Sequence, residues 1–326
     1  MSCDVLCLRP EADFQTVGAL PPAHLQVVYR EWNDADVAAL MRKARVLVIP
    51  AVGPKLPTAL FDRTTVKFVQ VTGAGLDRLD LGLLKQRGIA VGNVPGGSNL
   101  AVAEYAVATA TLLLRRFAWA DSEIRRGNYR DFRARMIADS LLGLDGLTVG
   151  VVGFGVIGVA VATAFYKRGC SILFYDPAPR DPKAAEALGA KACSLDELLG
   201  AADVVTLHVP LLPQTTGLIG ARELSLMKPG AVLIQAARGG VVDEGALVKA
   251  LEERRLGGAA VDVYSTEPPA ADNPLLTLEG EAAQRALLTP HIAGVTRQST
   301  AFLCGSAWRN VERFFSGQQT PRDVVT

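Results

Sequence analysis

The chain is poor in the features that mark several classes of protein. Its 326 residues carry a formal net charge of +1, from 34 Lys and Arg against 33 Asp and Glu. No field of one sign is therefore available to attract nucleic acid, and no such partner is expected. The apolar tract of residues 107–114 is too short to cross a bilayer, so no membrane partner is expected. Five cysteines are an odd number with no Cys-x-x-Cys pair, which argues for reduced thiols and against a disulfide framework. Cys3 and Cys7 alternate along an expected strand, where they serve as small hydrophobes, and no metal site is expected. The first residues lack the charged and apolar segments of a signal peptide, so a cytoplasmic location is expected. Only three histidines are present, so chance clusters of His with other polar groups are few.

What is present is an alternation of short apolar, β-branched runs with helical patterns, the signature of parallel sheets built from βαβ units. The length exceeds what one core usually supports, so two domains are expected. A first series of strands is predicted over 4–8, 25–29, 46–50, 67–71 and 89–92, and a second over 148–153, 171–176, 204–209, 231–236 and 258–263. Between strands of the first series, helices are predicted over 34–43, begun by Asn33, and over 81–87, ended by Gly88. Residues 99–126 read as one long helix buried on most faces, with Glu104 capping it against the preceding joint. Residues 127–145 read as an irregular arm suited to subunit contact, which makes a homodimer the expected assembly. The helix predicted over 297–316 is expected to cross back to the first domain.

The strongest motif runs Gly153-Phe154-Gly155-Val156-Ile157-Gly158, between two apolar strands, with Asp176 at the end of the second. Gly153 permits a tight turn, Gly155 lets the backbone approach a pyrophosphate, and Gly158 lets the helix pack closely on the strand. The helix start offers N–H groups to phosphate oxygens. Asp176 suits the two ribose hydroxyls and repels a 2′-phosphate, so NAD is favoured over NADP.

Open α/β sheets bind ligands at the carboxyl ends of their strands. Three polar residues fall there in the second series. Arg238 follows a strand in Ala236-Ala237-Arg238-Gly239-Gly240, and its fork can hold a carboxylate through two parallel hydrogen bonds. Glu267 lies in Ser265-Thr266-Glu267-Pro268-Pro269, just past Asp262. His291, in Thr289-Pro290-His291-Ile292-Ala293-Gly294, is suited to exchanging a proton near neutral pH, with a carboxylate to orient it. Each alone is compatible with a cap, a surface acid or a structural histidine; their joint placement after successive strands points to chemistry.

These motifs, with His208-Val209-Pro210-Leu211 and Met227-Lys228-Pro229-Gly230-Ala231, resemble those of the D-isomer-specific 2-hydroxyacid dehydrogenase family, in order and over nearly the whole chain. The resemblance implies two Rossmann-like or flavodoxin-like α/β domains with parallel sheets, the dinucleotide domain (99–290) inserted into a split substrate domain (1–98 and 291–326). It implies an NAD-dependent oxidoreductase acting on a small 2-oxo or 2-hydroxy acid. Arg238 would bind the substrate's carboxylate and carbonyl, His291 would be the general acid/base, and Glu267 its partner. Asp262 would hold the nicotinamide carboxamide. Val156, Ile157, His208, Val209, Pro210, Thr215, Ala236, Ala237, Arg238, His291 and Gly294 would line the cofactor beside the glycines and Asp176. Thr72-Gly73-Ala74-Gly75-Leu76-Asp77 matches the family loop whose N–H groups receive the carboxylate, which makes Ala74 and Gly75 substrate-binding candidates. Gln235 and Tyr105 depart from residues common in the family; Tyr105 is read as structural. Residues 267–275 look like those of glyoxylate/hydroxypyruvate reductases. Formate- and phosphite-oxidising relatives share the core motifs, and NAD-sensing corepressors share the fold, so both stand as alternatives.

Overall fold

The computed structural model describes residues 3–317 and 321–325; residues 1–2, 318–320 and 326 of the expected substrate domain lie outside them. The chain divides into two compact units, 1–98 with 295–326, and 99–294.

In the first unit, β1 (Val5–Cys7), β2 (Val27–Tyr29), β3 (Val46–Ile49), β4 (Phe68–Val71) and β5 (Ala90–Gly92) form one parallel sheet in the order β2-β1-β3-β4-β5. The order reverses at β1/β3, the switch point of flavodoxin-like sheets. Strands β1, β3 and β4 are buried along their whole length, as a sheet covered on both faces requires. Leu6, Leu47, Ile49, Val69 and Val91 point into one core. Val5, Cys7, Val46, Val48 and Phe68 point into the other, where they meet Cys304, Trp308 and Val311. The last three belong to the helix Arg297–Ser316, which opens on a Thr296/Ser299 capping box and ends at Gly317 in the left-handed region. Its return to the first sheet is as predicted.

The predicted helix over 34–43 contracts to Val37–Leu40. Asp34 accepts the Glu31 N–H, and Asp36 is drawn to the Arg30 guanidinium, so the segment turns before it can wind.

In the second unit, β6 (Thr148–Val152), β7 (Ser171–Tyr175), β8 (Lys191–Ala192), β9 (Val204–Leu207), β10 (Val232–Gln235), β11 (Gly258–Val261) and β12 (Ala286–Leu288) pair in parallel in the order β12-β11-β10-β9-β6-β7-β8. The reversal falls at β6/β9, where doubly wound sheets open a crevice for a dinucleotide. The two outermost strands, β8 and β12, went unpredicted, because Lys191-Ala192 and Ala286-Leu287-Leu288 lack the β-branched run of a central strand.

The single helix expected over 99–126 is two, Asn99–Leu114 and Phe117–Arg125. Arg116 breaks it by adopting the left-handed region (φ 51), where its guanidinium reaches Asp139 and lies 5.5 Å from the Trp119 ring centroid. Glu104 is exposed, and its side chain has no hydrogen-bond partner among the described residues, so the expected cap is absent. The arm expected to be irregular contains a third helix, Tyr129–Ala138. Its charged sequence hides the apolar anchor: Phe132 packs on Trp119 at 5.5 Å, and Arg135 spans from the Trp119 face to Glu281.

The second crossing between units falls at 294/295, four residues beyond the expected 290/291. Asp262, at the end of β11, accepts the N–H groups of Ile292 and Ala293 and so ties that turn to the second sheet.

Candidate cofactor and catalytic site

At the end of β6 the chain turns through Gly153 (φ 93) into the helix Val156–Tyr166. Each glycine has its own reason. A Cβ on Gly153 would meet the His208 carbonyl oxygen at 2.5 Å, and one on Gly158 would meet the Gly153 carbonyl oxygen at 2.0 Å. Gly155 has no atom within 4 Å of an added Cβ, so the space above it is open. The first helical carbonyl bond runs from Val159 N–H to Gly155, which leaves the N–H groups of Val156 and Ile157 without intrahelical partners. An open glycine under free N–H groups at a helix start fits a dinucleotide's pyrophosphate.

Asp176 ends β7 with a side chain only 4% exposed. Its Oδ2 accepts the Phe154 N–H (2.8 Å) and the Arg180 guanidinium (2.7 Å), and Oδ1 accepts the Ala178 N–H (2.9 Å). Burial tends to raise its pKa, but the Arg180 bond and the two N–H bonds outweigh it, and the carboxyl titrates below its ordinary value. The carboxylate is thus held ionised where the ribose hydroxyls were expected. The salt bridge to Arg180 was not foreseen.

His208 follows β9. Its Nε2 shares a hydrogen bond with Thr206 Oγ1 at 2.8 Å, and its buried Nδ1 has no partner among the described residues. Burial pulls its pKa down to about 3, so the ring stays neutral. Val209 is buried and Pro210 exposed beside it. Thr215 closes its own loop, donating to the Pro210 carbonyl at 2.6 Å and accepting the Leu212 N–H at 2.8 Å.

After β10, the turn at Ala236-Ala237-Arg238 is spanned by the buried Gln235 side chain. Its amide donates to the Arg238 carbonyl (2.9 Å), and its oxygen accepts the Ala237 N–H (3.3 Å). Gln235 therefore shapes the loop that presents Arg238, a role the sequence did not specify. Gly239 is forced, since a Cβ there would lie 1.7 Å from the Tyr264 carbonyl oxygen.

Glu267 and His291 come together. Glu267 Oε2 lies 2.7 Å from His291 Nδ1, and Oε1 accepts the Tyr264 N–H at 3.1 Å. A carboxylate only accepts, so Nδ1 carries the hydrogen and Nε2 faces away from Glu267 with a lone pair or a proton to exchange. Burial tends to raise the Glu267 pKa, but the His291 hydrogen bond and charge, the Tyr264 N–H and the Arg238 charge bring it below its ordinary value. The last of these places Arg238 within electrostatic reach of the pair. The loop carrying Glu267 is tied by Glu244, which accepts the Ser265 N–H (2.6 Å) and the Asn273 amide (2.7 Å).

Asp262 is 1% exposed and already accepts three hydrogen bonds: from Thr289 Oγ1 and the Ile292 N–H on Oδ1, and from the Ala293 N–H on Oδ2. One acceptor position, on Oδ2, is left for a carboxamide. Gly294 closes this turn and is half-buried.

In the first unit, Ala74 is exposed and Gly75 buried after β4. Neither N–H donates to an acceptor among the described residues, whereas the Ala74 carbonyl is held by Asn93 Nδ2 at 2.8 Å. The buried Arg78 reaches back to the carbonyls of Pro54 (2.9 Å) and Pro50 (3.1 Å), fixing the loop after β3. The sequence offered no sign of it.

The family model of the D-isomer specific 2-hydroxyacid dehydrogenase NAD-binding domain matches residues 107–293. The glyoxylate reductase of Thermococcus litoralis is 34% identical over 307 residues, 90% of this chain and 91% of that protein. The D-3-phosphoglycerate dehydrogenase of Archaeoglobus fulgidus is 38% identical over 234 residues, 72% of this chain, and the match spans only 42% of that longer protein. A crystal structure of NAD-dependent formate dehydrogenase from Staphylococcus aureus, in complex with NAD, superposes with a TM-score of 0.82 at 26% identity, covering 99% of both chains. The fold class and the nicotinamide cofactor expected from the motifs are borne out. The chain belongs to the D-isomer specific 2-hydroxyacid dehydrogenase family, enzymes that use NAD.

Proposed function

We propose that the protein reduces a small 2-oxo acid to the D-2-hydroxy acid, or runs the reverse oxidation, with His291 as general acid/base. The observation that carries this reading is the 2.7 Å contact between His291 Nδ1 and Glu267 Oε2. It fixes the tautomer that leaves Nε2 to exchange a proton. Arg238 neutralises the substrate's carboxylate and polarises its carbonyl. In the first unit, Ala74 and Gly75 are substrate-binding candidates through their N–H groups. When bound, the nicotinamide supplies or accepts hydride at the 2-carbon. Gly153, Gly155, Val156, Ile157 and Gly158 hold its pyrophosphate, Asp176 its ribose and Asp262 its carboxamide. His208 to Pro210, Thr215, Ala236, Ala237 and Gly294 line the rest of the cofactor. In reduction, protonated His291 delivers its Nε2 proton to the carbonyl oxygen; in oxidation, neutral His291 removes the hydroxyl proton.

Residues 99–294 form the dinucleotide domain in this reading, and 1–98 with 295–326 the substrate domain. Glyoxylate and other short 2-oxo acids are the favoured substrates, a choice supported by similarity to a glyoxylate reductase over nine-tenths of both chains. A cytoplasmic homodimer completes the proposal, in keeping with five free cysteines, four of them buried. The test is turnover of glyoxylate, hydroxypyruvate, pyruvate and phenylpyruvate with NADH, comparing the wild type with His291→Ala and Arg238→Ala. Turnover that persists in both variants would refute these assignments.

A further inference from the structure

Behind His291 lies a chain of hydroxyls that begins on a helix remote in sequence. Thr289 Oγ1 is 2.5 Å from Asp262 Oδ1, and Tyr105 Oη is 2.8 Å from the same Thr289 oxygen. The directions follow from the donor inventory. An ionised carboxylate only accepts, so Thr289 spends its single hydrogen on Asp262 and must accept one from Tyr105. Asp262 in turn accepts the Ile292 and Ala293 N–H groups, both at 2.8 Å, and its backbone carbonyl accepts the His291 N–H at 2.8 Å. The links are part-buried or buried, and in such a network each donor strengthens the next.

The turn so held is strained. His291 has φ 56, a region non-glycine residues seldom occupy and keep only where their surroundings over-determine it. The direction of its imidazole follows from that backbone angle. Burial also keeps the Tyr105 phenol protonated, with its pKa pushed up to about 12.

We propose that Tyr105 is a positioning residue for His291: through Thr289 and Asp262 it holds the left-handed turn that aims the imidazole at Glu267. The inference rests on the reading of His291 as the proton-exchanging group. It gives the helix Asn99–Leu114 a part in the chemistry and gives Asp262 a duty that precedes any contact with cofactor.

The test uses the full chain with Tyr105→Phe, Thr289→Val and Thr289→Ser. In the first two, kcat should fall about tenfold to hundredfold, as a misaimed general acid does. KM and the NADH dissociation constant should stay within about twofold of wild type. Thr289→Ser, which keeps the hydroxyl, should restore most of the rate. The imidazole nitrogen NMR signals of His291 should move in Tyr105→Phe while those of His24 hold still. A purely structural role would lower the melting temperature and leave kcat, KM and the His291 signals unchanged; that result overturns the proposal. Should Thr289→Val fail to fold, Tyr105→Phe decides alone. If the wild type turns over no 2-oxo acid yet the His291 signals shift in Tyr105→Phe, the proposed activity fails and the positioning role stands.

Discussion

Nδ1 of His291 lies 2.7 Å from Oε2 of Glu267, and the two side chains are exposed to nearly the same extent, 26% and 27%. A hydrogen bond this short between partly buried partners fixes both the ring's tautomer and its orientation. Replacing His291 with Ala should therefore lower kcat by about 10²–10⁴-fold, the usual worth of general acid–base help, with NADH affinity little changed. Steady-state kinetics beside NADH fluorescence titration checks both halves.

The pair also predicts a pH dependence of stability. The Glu267 carboxyl has a lowered pKa in the folded protein, where burial is outweighed by His291, Tyr264 N–H and Arg238. A group so lowered stabilises the fold above its unfolded pKa of about 4.3, and that contribution is lost as pH falls through the lower folded value. Thermal melts of wild type and Glu267→Gln should differ most at neutral pH and converge as the medium becomes more acid than the folded value.

Glycines in one motif should behave differently. Gly158→Ala drives a Cβ to 2.0 Å from the Gly153 carbonyl oxygen, and such overpacking typically costs about 1–3 kcal/mol or more. Gly155→Ala meets no atom within 4 Å. The first variant should lose melting temperature; the second should melt like wild type yet bind NADH poorly, because its methyl would enter the open space proposed for the pyrophosphate. Calorimetry and NADH titration separate the two.

Asp176 should set the preference between NADH and NADPH, and Arg180, its ion-pair partner at 2.7 Å, should temper it. Asp176→Ala should weaken NADH binding by about tenfold, the order expected for losing a hydrogen bond to a charged group, and narrow the gap to NADPH. Fluorescence titration with both dinucleotides measures the ratio. An unchanged ratio would mean that Asp176 serves only to brace the Phe154 turn.

Much of this was legible because the informative residues are constrained by backbone geometry. The glycine motif, the acid at the end of β7 and the buried strands announce themselves through spacing and burial period. Arg238 and Glu267 stood out as polar residues after expected strands and His291 as one of three histidines, and the roles given to them are proposals. What stayed hidden depends on side chains that meet across long sequence separations. Nothing in the sequence says that Tyr105 reaches Thr289, that Gln235 spans its own turn, or that Arg78 holds the carbonyls of Pro50 and Pro54. The break at Arg116 was missed for the same reason, because its partner Asp139 lies beyond the helix it ends. The edge strands β8 and β12 lacked a pattern strong enough to read.

The proton-transfer role of His291 is tested most directly by the loss of NADH absorbance with glyoxylate, measured for wild type, His291→Ala and Arg238→Ala in parallel. The wild type should turn over glyoxylate, both variants should lose most of that turnover, and all three proteins should retain NADH binding. Undiminished turnover in His291→Ala, or a wild type that binds NADH yet reduces no 2-oxo acid, would contradict that role.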